Sequence, residues 1–453
     1  MINLSRKQIH MIRATIRQSL GVTSIRRAPS VTFQTTSDAL TIRAADDEIA
    51  IEYRLPGNHQ SECFAVPYEA LAVCEGRQEE PVQFEKTGDL VTLRWSDVGV
   101  PQSAPFAASE PVSMPATPGE LAVIDPHFLR AMADACNTVA YDSTRYALNC
   151  VRLRGTDGQM AATDGQQALI QTGFRFPWEN EVLVPASAAF AAKSICRSQD
   201  VAIGRSPEWM FVRADAWTIA LKIEKDRRFP AVDSQIPEIR TATTTLSLAE
   251  EDAEFLVRAA KRLPGSEEAN APVTLDLNGA AVIRAQATGQ HSPTDLVLSN
   301  SRRIGDELKV STDRSFVERA MQLGFREIYL RDVEAPAFCR DKNRSYIWAL
   351  LGKNTVLTAD ATAIRIESPI RQSVSTTFIR PRAPLEPPKS KKMNSGAVDS
   401  ESILTTAEAL RSAPREVLGN TRALITAIKQ RRKQNRLVDS TLRSLKELQT
   451  NGA

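Results

Sequence analysis

Asp157 and Asp164 are the residues whose type and spacing first suggest chemistry, as a pair of metal carboxylates. Each precedes a glycine, however, and Asp-Gly is turn chemistry: Gly tolerates positive φ and Asp bonds its own backbone. Turns account for both. The four histidines, His10, His59, His127 and His291, are scattered and read as surface or structural residues. No GxGxxG, Walker loop, GxSxG or HExxH motif occurs. The six cysteines (63, 74, 136, 150, 196 and 339) lie far apart with no CxxC pair. That argues against zinc and against a disulfide framework, and fits buried thiols in a reducing compartment. The expectation is a non-catalytic protein with no metal site and no cofactor.

The chemistry that remains is cationic. With residues 6–20 placed on a helix at about 100° per step, Ile9, Ile12, Ile16 and Leu20 share one face and Arg6, His10, Arg13 and Arg17 the adjoining one. The following loop adds Arg26 and Arg27. A later stretch, 250–263, repeats the design: Phe255, Leu256, Ala259, Ala260 and Leu263 on one side, and Arg258, Lys261 and Arg262 on the other. Between them, a helix expected from Val184-Pro185 offers Lys193 and Arg197. Rows of cations on helices can neutralise phosphates without reading bases. A solvated helix face is the alternative for any one of them. The recurrence in equivalent places puts duplex DNA binding level with that alternative.

What positions these residues is a unit that occurs three times. The stretch 145–170 reads as a hairpin, with Val151 and Leu153 alternating with Arg152 and Arg154. Similar hairpins are expected at 82–95, 201–214 and 273–285. First helices are expected near residues 5, 125 and 249, and second helices near 67, 185 and 313, a period of about 120 residues with helices about 60 apart. The stretches 101–118 and 229–245 read as linkers. The expected organisation is therefore 1–118, 119–240 and 241–370 as three domains, 371–402 as a linker and 403–453 as a basic helical tail.

A chain of 453 residues is too long for one ordinary core. At 42% hydrophobic and 25% charged its composition is that of a soluble globular protein. No apolar run is long enough to span a bilayer and no secretory signal is visible, so a cytoplasmic location without membrane contact is expected. The net charge of +3 is uneven. From Arg371 onward there are 16 basic and 7 acidic residues, a balance of +9; the preceding 370 carry 41 and 47, a balance of −6. If that acidic body binds nucleic acid, its cations must be gathered on one surface.

Some residues are more specific. Arg145-Tyr146-Ala147-Leu148-Asn149 resembles the R-Y-x-L-N that precedes a hairpin in the second domain of the bacterial DNA polymerase III β sliding clamps. Ala162-Thr163-Asp164-Gly165 resembles that family's A-T-D-G, Val182 to Pro185 its V-x-V-P, and Phe229-Pro230 and Ile236-Pro237 its F-P and L-P. The similarity is strongest over 120–240 and weak in the first unit. It implies an α+β fold of three tandem clamp-type repeats, two helices on antiparallel sheets in each, and a head-to-tail homodimer forming a six-domain ring. Helices would line the hole and sheets the outside, and duplex DNA would pass through. The ring would be opened by an ATP-driven clamp loader and would tether the replicative DNA polymerase, raising its effective concentration at the primer without catalysing anything.

The resemblance also implies a hydrophobic pocket for partner peptides. Leu148, Thr163, Gly165, Gln166, Gln167, Ala168 and Pro237 would form one side, and Asp313, Phe316, Ile347, Ala349 and Leu350 the other. Here the chain departs from the family: Gln166-Gln167-Ala168 stands where His-Arg-Leu is usual, and Asp313 where Asn is common. The usual closing Met-Pro-Met-Arg-Leu is absent, and the chain runs on for about 100 residues. A diverged clamp paralogue and a DNA-independent adaptor are the rival readings. In the tail, apolar residues from Ile403 to Leu445 fall on a seven-residue lattice around the basic stretch 430–436. A partner-binding or self-associating helix, a DNA-contacting arm, a helix lying back on the ring and a partly disordered extension all fit that pattern.

Overall fold

A computed structural model describes residues 2–23, 28–140 and 146–370. Arg26, Arg27, Arg145, the linker 371–402 and the tail 403–453 lie outside the described residues.

One order of elements occurs three times. A lead strand precedes a helix and a three-strand meander; a further strand, a second helical segment and a second meander follow. The first pass is β1 (Ile2–Ser5), α1 (Arg6–Ser19), β2 (Val31–Thr35), β3 (Ala39–Ala45), β4 (Ile49–Pro56), β5 (Glu62–Val66), α2 (Tyr68–Cys74), β6 (Pro81–Thr87), β7 (Leu90–Asp97) and β8 (Val100–Ala107). The second is β9 (Ala122–Val123), α3 (His127–Cys136), β10 (Cys150–Arg154), β11 (Gln159–Thr163), β12 (Gln167–Gln171), β13 (Glu181–Pro185), a single 3-10 turn (Ala188–Ala191), β14 (Val201–Arg205), β15 (Trp209–Ala214) and β16 (Trp217–Lys222). The third is β17 (Thr244–Ser247), α4 (Glu250–Ala259), β18 (Pro272–Asp276), β19 (Val282–Ala285), β20 (Thr294–Val297), β21 (Arg302–Gly305), β22 (Lys309–Asp313), α5 (Arg314–Gln322), β23 (Glu327–Leu330), β24 (Ala337–Arg340) and β25 (Arg344–Trp348). Two strands have no counterpart in the other passes: β21, which pairs with the lead strand β17, and a last strand, β26 (Ile364–Glu367).

Local chemistry explains the starts. Ser5 and Gln8 form a capping box at α1, with Ser5 N donating to Gln8 Oε1 at 2.8 Å and Gln8 N to Ser5 Oγ at 3.2 Å. Ile9, Ile12, Ile16 and Leu20 are buried as their spacing predicts, each contributing roughly 1.5–3 kcal/mol. Asp313 caps α5, accepting from Ser315 N at 2.7 Å. The second helix expected after Pro185 is only a 3-10 turn followed by further tight turns. The reason is the burial period: Ala189, Ala192, Ile195 and Ser198 are all buried at a spacing of three, which suits 3-10 geometry and not a 3.6-residue turn.

The meanders join by one rule. The last strand of a first meander pairs antiparallel with the last strand of the next pass's second meander. β4 pairs β16 (Ile51↔Ile219) and β12 pairs β25 (Leu169↔Tyr346). Four sheets result: β1-β6-β7-β8; β5-β2-β3-β4-β16-β15-β14-β9; β13-β10-β11-β12-β25-β24-β23-β17-β21; and β22-β18-β19-β20-β26. The stretch 101–118, expected to be a linker, supplies the edge strand β8. Its prolines do not prevent this, because an edge strand needs donors on one side only.

The helices form a continuous row. α2 packs on α1, α1 on the 188–191 turn, that turn on α3, and α4 on α5. Arg319 of α5 donates to Asp134 O of α3 at 2.8 Å and closes the gap in the row. No helix among the described residues is long and apolar enough to cross a membrane.

Candidate nucleic-acid face and peptide groove

Among the described residues the helix row carries the predicted cations, with one correction. Arg6 starts α1 but is buried, donating to Cys74 O at 3.2 Å, Ser96 O at 3.2 Å, Glu75 O at 3.2 Å and Asp97 Oδ1 at 2.8 Å. It ties α1 to the ends of α2 and β7, and a phosphate has no access to it. Hydrogen bonding to Asp97 raises its pKa against the opposing effect of burial. A helical wheel could not reveal this, because the burying groups come from 68 to 91 residues away.

Arg13 stacks over the Tyr68 ring at 5.1 Å and donates to Glu75 Oε1 at 2.7 Å. Arg17 is exposed one turn on, and both border a groove of about 430 Å³ along α1 with His10 and Gln18. Thr15 and Ser194 share a hydroxyl contact of 2.7 Å, and Ser187 Oγ donates to Ser19 O at 3.0 Å. The segment bearing exposed Lys193 and Arg197 is therefore held directly against α1. In the third pass Arg258 and Arg262 are exposed, the former 3.6 Å from Glu254, and Lys261 reaches Glu318 at 3.1 Å. The row is thus cationic with interspersed carboxylates.

The turn reading of both Asp-Gly pairs fits the geometry. Gly158 and Gly165 have φ of +59° and +92°. A Cβ on Gly158 would also lie 1.9 Å from Phe174 O. Asp157 accepts from Arg154 at 3.0 and 2.7 Å, which holds its carboxyl below the usual range against the effect of burial. Asp164 Oδ1 accepts from the backbone N–H of Gln166 and Gln167, both at 2.8 Å. No group of three His, Cys, Asp or Glu able to hold a metal occurs among the described residues. All six cysteines are free, but Cys63 and Cys196 are exposed, contrary to the expectation that all are buried. Burial pushes the Cys74, Cys136 and Cys150 thiols up to about 12.

Beside Gly165 lies a groove of about 180 Å³, walled by Thr163, Gly165, Gln166, Gln167, Ala168, Ile347 and Ala349 from the expected set. Val232, Gln235, Pro336 and Trp348 complete it. Leu148 sits behind Gly165. Pro237 is not on the wall. Neither are the α5 cap Asp313, the core residue Phe316 or Leu350, which packs against that core. The β12·β25 joint builds the groove by setting Gln167 opposite Trp348. The segment after Phe229 roofs it. Arg152, half of the alternating pattern that reads as solvent-facing, is buried beneath that segment, 4.9 Å over Phe229 and 2.9 Å from Asp233. Arg154 reaches the same carboxylate at 3.0 Å. Burial raises the Asp233 pKa, but the two arginines outweigh it and hold the carboxyl below its usual value. Val232 and Gln235 flank this anchored aspartate. The paired arginines were the available sequence signal for it.

No family model matches the sequence, and no curated protein matches it. Solved structures do match the fold. The DNA polymerase III subunit β of Pseudomonas aeruginosa aligns at a TM-score of 0.62 with 15% identity, over 78% of this chain and 100% of that one. The β subunit from the DNA polymerase of Streptococcus pyogenes aligns at 0.64 with 11% identity, over 78% and 99%. The DNA polymerase III β subunit of Thermotoga maritima aligns at 0.62 with 14% identity, over 77% and 98%. The chain has the β sliding-clamp fold.

Proposed function

We propose that the chain works as a DNA sliding clamp of the β type: two copies joined head to tail around duplex DNA, acting as a non-enzymatic processivity factor. The observation that carries the reading is the joining rule. β4·β16 and β12·β25 each use one first-meander edge and one second-meander edge. One chain then leaves over one of each, β20 and β8. Two unlike, complementary ends make a heterologous contact, and such contacts close into rings when the rotation per unit allows.

The cations support the DNA part. Arg17, Lys193, Arg197, Arg258 and Arg262 are exposed on or beside the helix row, while residues 1–370 as a whole carry −6. Such a surface holds phosphates by salt-sensitive contacts that slide. Arg13 and Lys261 contribute through side chains shared with Glu75 and Glu318. The groove beside Gly165 has room for one or two apolar side chains, the size of a peptide anchor and well below a drug-sized site. It would take the replicative DNA polymerase or another Leu- or Phe-bearing partner, with a clamp loader opening the ring. The diverged-paralogue reading is favoured by Gln166-Gln167-Ala168 and by the chain beyond Trp348. Retention on nicked circular DNA and release on linearisation test the proposal.

A further inference from the structure

The β20 edge is already paired. β26 runs parallel to it with Thr294↔Ile364, Asp295↔Arg365, Leu296↔Ile366 and Val297↔Glu367 in register. A strand edge takes one partner, so a second copy's β8 cannot pair there while β26 is in place. We infer that β26 is a built-in, removable cover of the ring-closing edge: with β26 docked the chain is monomeric, and a second copy joins at β20 only when β26 leaves. The inference rests on the ring reading above and adds the regulation of its closure.

The cover is held at both ends. At its start Ile364 N donates to Pro293 O at 2.9 Å. At its end Ser368 N donates to Val297 O at 2.9 Å, and Ser368 Oγ donates to Asp252 Oδ1 at 2.5 Å. Asp252 is fully buried at the start of α4 and also accepts from Ser301 Oγ at 2.6 Å and from Asn300 Nδ2 at 2.7 Å. The same Asn300 Nδ2 donates to Pro369 O at 2.8 Å. This latch ties the end of β26 to the start of α4, 116 residues earlier in the same chain.

Between the latched ends the strand is lightly held. Ile364 and Ile366 are 57% and 41% exposed, and all four residues of β26 face solvent. A strand fixed by backbone bonds, with little apolar burial, belongs to the least stable part of a fold. Parallel pairing is also the weaker kind.

The competing strand is weakened too. Ala108 N donates to Asp89 O at 2.8 Å, so by alternation along the β7·β8 register the N–H positions at 101, 103, 105 and 107 face outward. Two of these are Pro101 and Pro105, which have no N–H. β8 therefore offers half the donors of an ordinary edge over that span. β26, tethered and without proline, outcompetes it until it is released.

The test is the mass in solution of the full 453-residue chain and of Ile366→Pro, measured by sedimentation across micromolar concentrations. The bonds from Ile364 and Ser368 put the Ile366 N–H on the β20 side, so proline there breaks the middle of the cover without touching the core. The full chain is expected to be monomeric, and Ile366→Pro to dimerise at least tenfold more tightly. Adding Ser103→Pro, which removes one of the two remaining outward donors of β8, should reverse the gain. Ser368→Ala should give a milder shift in the same direction. A full chain already dimeric with β26 amides protected from hydrogen exchange overturns the cover and leaves the ring standing. An Ile366→Pro chain whose β20 amides exchange freely but which stays monomeric overturns both. A dimer indifferent to Ser103→Pro overturns the assigned edge.

Discussion

The Tyr346 hydroxyl donates to Gln167 Oε1 at 2.5 Å across the β12·β25 joint. Gln167 Nε2 in turn donates to Asp164 Oδ2 at 2.8 Å. One glutamine thus couples the Asp164 turn to the next pass's last strand, and the groove wall depends on it. Tyr346 is fully buried and Gln167 is not, so the two sides of the bond are unequal. Gln167→Leu strands a buried hydroxyl and should cost roughly 1–3 kcal/mol, whereas Tyr346→Phe should cost about 1 kcal/mol. Urea unfolding of both variants measures the difference; equal losses would mean that the hydroxyl finds another partner.

For the groove itself, Ala349 offers a clean probe, since it lines the wall and is exposed. Ala349→Glu should place a charge among the apolar anchors and weaken a Leu/Phe-bearing polymerase peptide at least tenfold by fluorescence polarisation, with the melting temperature within about 1–2 °C of wild type, as for most surface changes. Phe316→Ala should instead destabilise the chain by roughly 3–5 kcal/mol, because Phe316 is a core residue.

On the helix row, Arg17→Glu combined with Lys193→Glu and Arg197→Glu should lower duplex DNA affinity. Each lost phosphate contact should make the slope of log K against log salt shallower by about 1. Arg6→Ala is the contrasting case. It removes the donor shared by three carbonyls and Asp97 and should cost roughly 1–3 kcal/mol of stability, leaving the salt slope unchanged in the folded fraction. An unaltered slope in the triple variant would remove those residues from the DNA surface.

Much of the architecture is written locally. Val151 and Leu153 announce a half-buried strand, Gly158 and Gly165 announce turns, and the Ser5–Gln8 box announces α1. These signals lie within a few residues of what they specify. The burial of Arg6 and Arg152 depends on groups far away in sequence, so each passed as a solvent-facing cation. Pro101 and Pro105 look like linker residues because a window along the chain cannot tell which side of a strand is free. β26 has four residues, none of them buried, and its existence follows from a vacant edge and not from its own pattern. Leu148 and the wall from Thr163 to Ala168 were legible through the resemblance, whereas Val232 and Gln235 join them only through the Arg152–Asp233 anchor.

Asp252 gives the latch a pH dependence. Burial raises its pKa, but hydrogen bonds from Ser301, Ser368 and Asn300 prevail and hold it below the usual carboxylate value. A depressed folded-state pKa contributes stability above the unfolded value, near 4, which is lost as pH falls through the lower folded value. Unfolding free energy should therefore fall as the pH drops below about 4 by a component absent in Asp252→Asn, and that variant should be weaker by roughly 1.5–3 kcal/mol at pH 7, where the charged bonds are intact. Parallel acid profiles for the two proteins would remove Asp252 from the latch.

The central claim is topological encirclement, and its most direct measurement is retention of the Ile366→Pro chain, whose ring-closing edge is free, on DNA of defined topology after loading by a β-type clamp loader with ATP. On nicked circular duplex the protein should co-elute with DNA through gel filtration at a salt concentration that strips simple phosphate contacts. Cutting the circle once should release it within the time of the digest. Equal retention on circular and linear DNA, or loss from both under the same salt, would contradict a closed ring.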